Sequence, residues 1–323
     1  MTKLIKSLKQ RRFFIIAFIS LASGLTGSPV FAEESKGVAL KVLGVAQDAG
    51  YPQLNCYQPH CMPGWGDFHK RRLATSLAVI DKAVRQKFLF EATPDIKQQL
   101  YVLNQYAADA QYPLAGIVLT HAHIGHYTGL MHLGREAAGT ETIPVYVMPR
   151  MEKFLHNNGP WSQLVSLNNI VLKTLKSNHV TELTKQLKII PLLVPHRDEY
   201  SETVGYKIIG PHKTALFIPD IDKWQKWGVN IKALLTTVDY AFIDGTFYSA
   251  NELPSRNMLE IPHPFVSESL QFFGNLSSRQ KKKLFFIHFN HSNPLLWDWN
   301  KAGKAAIGKV QQAGFNVATE GMV

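Results

Sequence analysis

Short apolar runs recur along the chain, and most of them end at a polar or small residue. Runs of four to eight residues rich in Val, Ile and Phe are typical of buried β-strands. The predicted strands are 38–45, 77–80, 87–90, 114–119, 143–148, 187–194, 204–209, 215–218, 238–243, 284–287 and 315–319. Their number and spacing predict a protein in which sheets form the core.

Three segments between these strands have the spacing of helices. The segment 96–106 follows Pro94, which suits a helix start, and 127–138 places Leu and Ala side chains on one face. The segment 301–313 stops at Gly314, the residue type that favours a helix end. Helices therefore alternate with strands, and the pattern predicts an α/β fold.

The first 32 residues have a different pattern. Five basic residues precede an apolar stretch, 13–25, and the segment Val30-Phe31-Ala32 fits a small-x-small cleavage site. This order predicts a secretory signal peptide, 1–32, and a periplasmic or secreted protein. The alternative is an uncleaved membrane anchor, although the apolar stretch is short for a bilayer.

Length and charge narrow the choice of function. The chain has 323 residues, enough for one large domain or two small ones, and we predict a single domain over 33–323. Loss of residues 1–32 would lower the formal charge from +11 to +6. That mild excess predicts a small-molecule substrate, no nucleic-acid partner and no stable membrane insertion after cleavage. The oligomeric state stays open.

Three histidines follow the predicted strand 114–119. His121 and His123 are two residues apart, so in extended backbone they point to the same side, and His126 can turn back towards them. The ends of strands are where α/β folds place their chemistry. Imidazoles that converge on one point predict a transition-metal site.

Three further candidate ligands also stand at or just after predicted strands. These are His196, Asp220 and His288. All could face one edge of the fold together with the three histidines. Imidazole and carboxylate donors suit Zn²⁺ first, with Fe or Mn as alternatives.

The spacing His121-x-His123-x-x-His126 after a strand resembles the signature of the metallo-β-lactamase superfamily, and the chain looks most like the branch of pyrroloquinoline-quinone biosynthesis protein B. The resemblance covers most of 38–323 and implies a four-layer αββα sandwich. It departs at Gly125, where the family has an Asp that binds the second metal.

The resemblance implies a role for each candidate ligand. His121, His123 and His196 would form a first metal site, and Asp220 would complete it or bridge to a second. His126 and His288 would belong to that second site. Because Gly125 offers no carboxylate, we expect one or two Zn²⁺ ions, with a second site that is weak or differently filled. Gly125→Asp is then expected to raise the metal count.

Asp220 and His263 are the candidate catalytic residues. His263 and Asp244 lie in segments that look like characteristic loops of the branch, and His291 is a candidate for contact with the substrate. Each also has a structural alternative: Asp220 could cap a helix, and His263 and Asp244 could serve turns around Pro and Gly.

The expected function is hydrolysis. Zinc lowers the pKa of a bound water to about 7, and the resulting hydroxide can attack an ester, lactone or phosphodiester. One alternative is an oxidase-like metalloprotein related to pyrroloquinoline-quinone biosynthesis protein B. Another is a non-catalytic binding protein with a degenerate metal site.

Both cysteines of the chain lie in one short segment. Cys56 and Cys61 could form a disulfide in an oxidising compartment. Alternatively, they could hold a structural zinc together with His60 or His69. The sequence leaves these two states open.

Overall fold

The computed structural model describes residues 37–253, 257 and 260–323, which all belong to one compact unit, Ser35–Val323. The predicted signal peptide, 1–32, lies outside the described residues. Within the described part of the chain, no helix is long and apolar enough to cross a membrane.

The first half of the chain forms a six-stranded sheet in which the strands lie in sequence order. These strands are β1 (Val38–Gly44), β2 (Ser76–Asp81), β3 (Gln86–Phe90), β4 (Leu114–Val118), β5 (Ile143–Val147) and β6 (Ile170–Thr174). Strands β1 to β3 pair antiparallel, and β3 to β6 pair parallel.

The second half forms a seven-stranded sheet with the same order of pairings. Its strands are β7 (Thr181–Glu182), β8 (Lys188–Leu193), β9 (Val204–Ile209), β10 (Thr214–Ile218), β11 (Tyr240–Asp244), β12 (Leu284–Ile287) and β13 (Asn316–Val317). Strands β7 to β10 pair antiparallel, and β10 to β13 pair parallel. The two halves are thus built alike.

Helices cover the sheets. The described α-helices are α1 (Met62–Gly66), α2 (Ile96–Asn104), α3 (Ile124–Tyr127), α4 (Pro149–Asn157), α5 (Trp161–Ser166), α6 (Ile231–Leu234), α7 (Val266–Phe272), α8 (Ser278–Lys281) and α9 (Lys301–Gln312). On β2, Leu77 and Val79 pack into the core shared with the second sheet, whereas Ala78 and Ile80 pack under helices. This alternation agrees with the predicted αββα layers.

The predicted strands all appear, within a few residues of the expected ends, but the helix predicted over 127–138 is wrong. The chain there forms the end of α3 and then a 3-10 helix, Thr128–Leu133. The N–H of Gly129 donates to the carbonyl of Ala92 at 2.9 Å, and a Cβ at Gly129 would lie 2.1 Å from the carbonyl oxygen of Thr93. The backbone is therefore bonded across to the loop after β3.

Several elements also lie where the apolar pattern predicted none. These are α4, α5, β6 and the short edge strand β7. Helices α4 and α5 are nine and six residues long, and Leu155 and Leu164 bury their side chains against the first sheet. The six residues of α5 give too few turns for a clear helical period.

Candidate metal centre

The histidine loop leaves the first sheet at the end of β4 and is fixed by the second. The hydroxyl of Tyr206 donates to the carbonyl of Leu119 at 2.6 Å, and the N–H of Val204 donates to that of Thr120 at 3.2 Å. Ala122 donates its N–H to the Ser201 hydroxyl at 2.8 Å. The loop is thereby held between the two sheets, where side chains from both can meet.

One group of imidazoles contains His121, His123 and His196. Nε2 of His121 lies 2.8 Å from Nδ1 of His123, and one nitrogen of each of the three rings lies within 4.8 Å of the others. The far side of two rings is held as well: Nδ1 of His121 lies 2.8 Å from the Thr120 hydroxyl, and Nε2 of His123 lies 3.1 Å from a Glu199 oxygen. The predicted first site is thus brought together.

A second group forms around His126 and His288. Oδ2 of Asp220 lies 3.1 Å from Nε2 of His126 and 3.3 Å from Nε2 of His288. Oδ1 of the same carboxylate lies 3.7 Å from Nε2 of His196, which belongs to the first group. Asp220 follows β10, and His288 follows β12. The structure therefore brings all six predicted ligands into one cluster, with Asp220 between the two groups.

Several atoms of this cluster are buried without a hydrogen-bond partner in the described part of the chain. They include Nε2 of His126, Nε2 of His288, Oδ2 of Asp220 and both ring nitrogens of His196. A buried polar atom without a partner is costly and calls for an explanation. A metal ion explains these atoms, because ligands about 2.0–2.1 Å from zinc at tetrahedral corners lie roughly 3.3 Å apart.

Burial sets the protonation state of most of the rings. It lowers the pKa of His196 to about 4 and lowers the pKa of His121 and of His288 below the usual range. A neutral imidazole has a lone pair available for a metal, so burial shifts these rings towards the state that binds one.

Asp220 and His126 behave in the opposite way. Burial alone would raise the pKa of Asp220, but the rings of His288 and His126 hold it well below its usual range. Burial alone would lower the pKa of His126, but the carboxylates of Asp220 and Glu91 raise it well above the usual range. The cluster thus carries an ionised carboxylate that favours a cation beside it.

Two residues that sequence reasoning missed support the ligand rings from behind. Oε1 of the fully buried Glu91 lies 3.4 Å from Nδ1 of His126, and the Thr246 hydroxyl lies 3.0 Å from Nδ1 of His288. Contacts of this kind fix the orientation of metal-binding imidazoles. Glu91 directly follows β3. This position at a strand end is the sequence signal that could have identified Glu91.

Asp48 is the third residue that sequence reasoning missed. It lies in the turn after β1, and its carboxylate approaches the rings of His126 and His288. The signal for it was weak, because the turn is 77 residues before Gly125 and carries no histidine.

The candidate catalytic residue His263 lies beside the cluster. Its Nδ1 is 2.7 Å from Oδ2 of Asp244 and 3.9 Å from Oδ1 of Asp220. Burial alone would lower the pKa of His263, but Asp244 raises it. His263 also lines a cavity of about 540 Å³, together with Gln47 and Arg197. A small molecule in this cavity would therefore contact His263, which lies beside Asp220 of the cluster.

His291 lies apart from the cluster. It lines a second cavity, of about 380 Å³, and its Nδ1 lies 3.1 Å from Oδ1 of Asn290. Asp48 and Gln47 line the same cavity, and Gln47 lines the larger one as well. This position agrees with the expected contact of His291 with a substrate, which stays a prediction.

The two cysteines form a disulfide. Cys56 and Cys61 are joined with a Cα–Cα distance of 5.9 Å. His60 lies beside them, with Nε2 3.5 Å from Sγ of Cys56, whereas His69 lies in an exposed 3-10 helix and has no place in this group. A disulfide cannot supply thiolates, so the structure has the disulfide and not the structural zinc site.

Comparison with known proteins identifies the architecture. The family model described as "Beta-lactamase superfamily domain" matches residues 86–289. "Coenzyme PQQ synthesis protein B" of Gluconobacter oxydans is 27% identical over 312 residues, which cover 87% of this chain and 96% of that protein. The protein of the same name from Methylobacterium sp. is 26% identical over 314 residues, with 87% and 97% covered.

Solved structures share the fold at low sequence identity. Zn²⁺-bound PqqB from Methylobacterium extorquens has a TM-score of 0.73 and 20% identity, with 88% of this chain and 98% of that chain covered. A diphosphatase from the PhnP family has a TM-score of 0.61 and 21% identity, with 88% and 96% covered. These likenesses confirm the predicted metallo-β-lactamase fold.

Proposed function

The chain belongs to the beta-lactamase superfamily, and from that premise we propose that it is a metal-dependent hydrolase of small-molecule esters, lactones or phosphodiesters. One observation carries the proposal: Asp220 holds one oxygen towards each of two imidazole groups, in a buried cluster where several ring nitrogens lack a hydrogen-bond partner among the described residues. Such a cluster next to an open cavity suits catalysis better than a purely structural role.

Zinc is the metal that we propose. Five imidazoles and a carboxylate form a donor set typical of zinc, and the Zn²⁺-bound PqqB of Methylobacterium extorquens has the same fold. Zinc, when bound, supplies a Lewis acid that lowers the pKa of a coordinated water to about 7. His121, His123 and His196 would hold one ion, and Asp220 would face it with Oδ1.

Residues of the larger cavity would bind and orient the substrate. Arg197 directly follows the ligand His196 and places a positive charge at the cavity wall, where it pairs with Glu199 at 3.6 Å. An anionic substrate group could replace Glu199 as its partner. Gln47 lines both cavities and offers an amide to an uncharged part of the substrate.

His263 would supply a proton to the leaving group. Its Nδ1 is engaged by Asp244 at 2.7 Å, which fixes the ring and leaves Nε2 as the nitrogen for the substrate. A carboxylate behind an imidazole stabilises its protonated form, as a general acid requires. The expected contribution is about 10²–10⁴-fold in rate, the usual range for a positioned acid.

A second candidate function rests on the curated relatives. They are named for the synthesis of coenzyme PQQ and cover 87% of this chain. We infer as the alternative a metal-dependent step in the making of that cofactor. A set of imidazoles and carboxylates also suits iron and oxygen chemistry, so iron content would favour this alternative.

We also propose that the protein is exported. The N-terminal pattern supports this, and so does the disulfide between Cys56 and Cys61, because structural disulfides persist mainly in oxidising compartments. Intact-mass analysis of protein made in a bacterial host would test the proposal. A chain that begins at Glu33 supports it, and a full-length chain in the cytoplasmic fraction contradicts it.

The main test joins metal analysis to a substrate panel. The protein would be purified without chelator, analysed for bound metals, and assayed with p-nitrophenyl acetate, a lactone and bis(p-nitrophenyl) phosphate. Zinc together with turnover that His121→Ala abolishes supports the hydrolase. Iron with oxygen uptake supports the alternative, and no metal after zinc loading contradicts both.

A further inference from the structure

Gly125 stands where the family has a metal-binding Asp, and the structure shows what fills that space. A Cβ on Gly125 would lie 2.3 Å from Cα of Asp48 and 2.5 Å from its Oδ1. The volume that a side chain at 125 would need is thus taken by Asp48, which comes from the turn after β1. The carboxylate missing from the histidine loop has a counterpart from a distant part of the chain.

The Asp48 carboxylate faces the same two nitrogens as Asp220. Its Oδ1 lies 3.5 Å from Nε2 of His126 and 4.0 Å from Nε2 of His288. Oδ2 of Asp220 lies 3.1 and 3.3 Å from these nitrogens. These four distances, 3.1 to 4.0 Å, lie near the edge of a tetrahedron of ligands around zinc, which is roughly 3.3 Å.

We propose that Asp48 is a ligand of the second metal, with His126, His288 and Asp220, and that the centre therefore binds two divalent cations. This inference rests on the proposed function and gives its site a second metal. Nε2 of His126, Nε2 of His288 and Oδ2 of Asp220 are all buried without a partner among the described residues. A cation at this point would satisfy all three.

The backbone holds Asp48 in place for this role. The N–H of Gln47 donates to the carbonyl of Phe289 at 2.8 Å, and the N–H of Phe289 donates to that of Val45 at 2.8 Å. Because Phe289 directly follows His288, these bonds join the Asp48 turn to the segment of another ligand. These bonds therefore fix the position of the Asp48 carboxylate relative to the His288 ring.

Asp48 and His288 also have unusual backbone conformations. Their φ angles are +39° and +68°, in the left-handed region that non-glycine residues rarely adopt. Such conformations persist where the surrounding structure imposes them, and they concentrate at functional sites. Two unusual backbone conformations at residues whose side chains face one point agree with a metal ion bound between these side chains.

The inference changes what is expected of Gly125→Asp. The sequence alone predicts that this substitution raises the metal count. In the structure, the new side chain collides with Asp48, so the single substitution adds no ligand. Because Cα of residue 48 itself would lie 2.3 Å from a Cβ at 125, a glycine at 48 would not open the space either, and the test therefore varies Asp48 alone.

The experiment measures zinc equivalents on the purified, zinc-loaded full protein by elemental analysis, and the affinity of each equivalent by competition with a chelator. Wild type is expected to hold two equivalents and Asp48→Asn one, because loss of a direct ligand should weaken the second equivalent by more than the about 10–100-fold that loss of an outer-shell partner costs. Asp298→Asn is the control, because Asp298 is exposed and pairs with Arg72 away from the cluster.

The contrary results separate the two proposals. Two tight equivalents in Asp48→Asn, or one equivalent in both wild type and Asp48→Asn, overturn the role of Asp48 but leave a metal-dependent hydrolase standing. No equivalent in wild type overturns the proposed function itself. The absorption spectrum of the Co²⁺-loaded proteins reports on the donor set without any assay of activity, and a spectrum unchanged by Asp48→Asn also overturns the inference.

Discussion

Oε1 of Glu91 lies 3.4 Å from Nδ1 of His126, and both side chains are almost completely shielded from solvent. Burial raises the pKa of Glu91, and the nearby His126 opposes that rise. The φ of Glu91 is +74°, so the backbone at this position is also constrained. A carboxylate behind a metal-binding imidazole fixes its orientation and increases its basicity.

Glu91→Gln is therefore expected to weaken zinc binding by about 10–100-fold, the usual effect of losing such a partner. The amide keeps the size of the side chain and removes its charge. Chelator competition on the purified variant measures the effect, and Glu152→Gln serves as control because Glu152 accepts a bond from Thr174 at the surface. An unchanged zinc affinity would show that Glu91 has no part in holding His126.

The disulfide between Cys56 and Cys61 closes a loop with a sequence separation of five residues. By the chain-entropy account, a loop of this length stabilises the folded state by about 2 kcal/mol. We expect the double variant Cys56→Ser/Cys61→Ser to lose that amount in urea unfolding while keeping its zinc. Wild type unfolded with a reductant should match the variant.

One outcome would show that the reduced cysteines can also bind zinc. If reduced wild type takes up an additional zinc that the serine variant lacks, the thiolates and His60 form a metal site when the disulfide is open. In that case Cys56 and Cys61 form a disulfide under oxidising conditions and a zinc site with His60 under reducing conditions.

The fold and most of the cluster could be predicted from the sequence for a physical reason. Most strands are buried and rich in Val, Ile, Leu and Phe, so their apolar runs stand out, and His121, His196, Asp220 and His288 are chemically distinct residues at the ends of such runs. Strand ends in parallel sheets meet at one edge, which is why residues far apart in the chain converge.

Asp48 and the 3-10 helix after α3 could not be predicted in the same way. Asp48 reaches the cluster only because the turn after β1 is bonded to the segment after β12, a tertiary contact without a sequence signal. The 3-10 helix at Thr128–Leu133 depends on a similar contact, between Gly129 and the loop after β3. In both places a long-range hydrogen bond decides the local structure.

His263→Ala tests the proposed proton donor. We expect turnover of an alkyl phosphodiester to fall about 10²–10⁴-fold. Turnover of bis(p-nitrophenyl) phosphate should fall far less, because p-nitrophenolate leaves without a proton. The zinc content should stay at the wild-type value. An equal loss for both substrates contradicts the role. A loss of zinc would instead indicate that His263 binds the metal, in the group that it forms with Asp220 at 3.9 Å.

Glu320 gives a prediction about stability and pH. Burial raises the pKa of its carboxyl to about 7, and the nearby Asp95 and Asp298 add to this rise. The N–H of Leu73, which donates to the carboxyl at 2.5 Å, and the charge of Arg72 oppose the rise. The folded protein therefore keeps this proton at pH values where the unfolded chain, with a pKa near 4.5, has released it.

The stability linked to Glu320 is thus complete below about pH 4.5 and is lost as the pH rises to about 7, by at most about 3 kcal/mol. Glu320→Gln keeps an oxygen for the Leu73 N–H and has no proton to lose. Between pH 4.5 and 7 its free energy of unfolding should therefore rise relative to wild type. Urea unfolding across this range measures the difference, with the exposed Glu136→Gln as control. Parallel curves for Glu320→Gln and wild type would mean that Glu320 is ionised in the folded protein throughout the range.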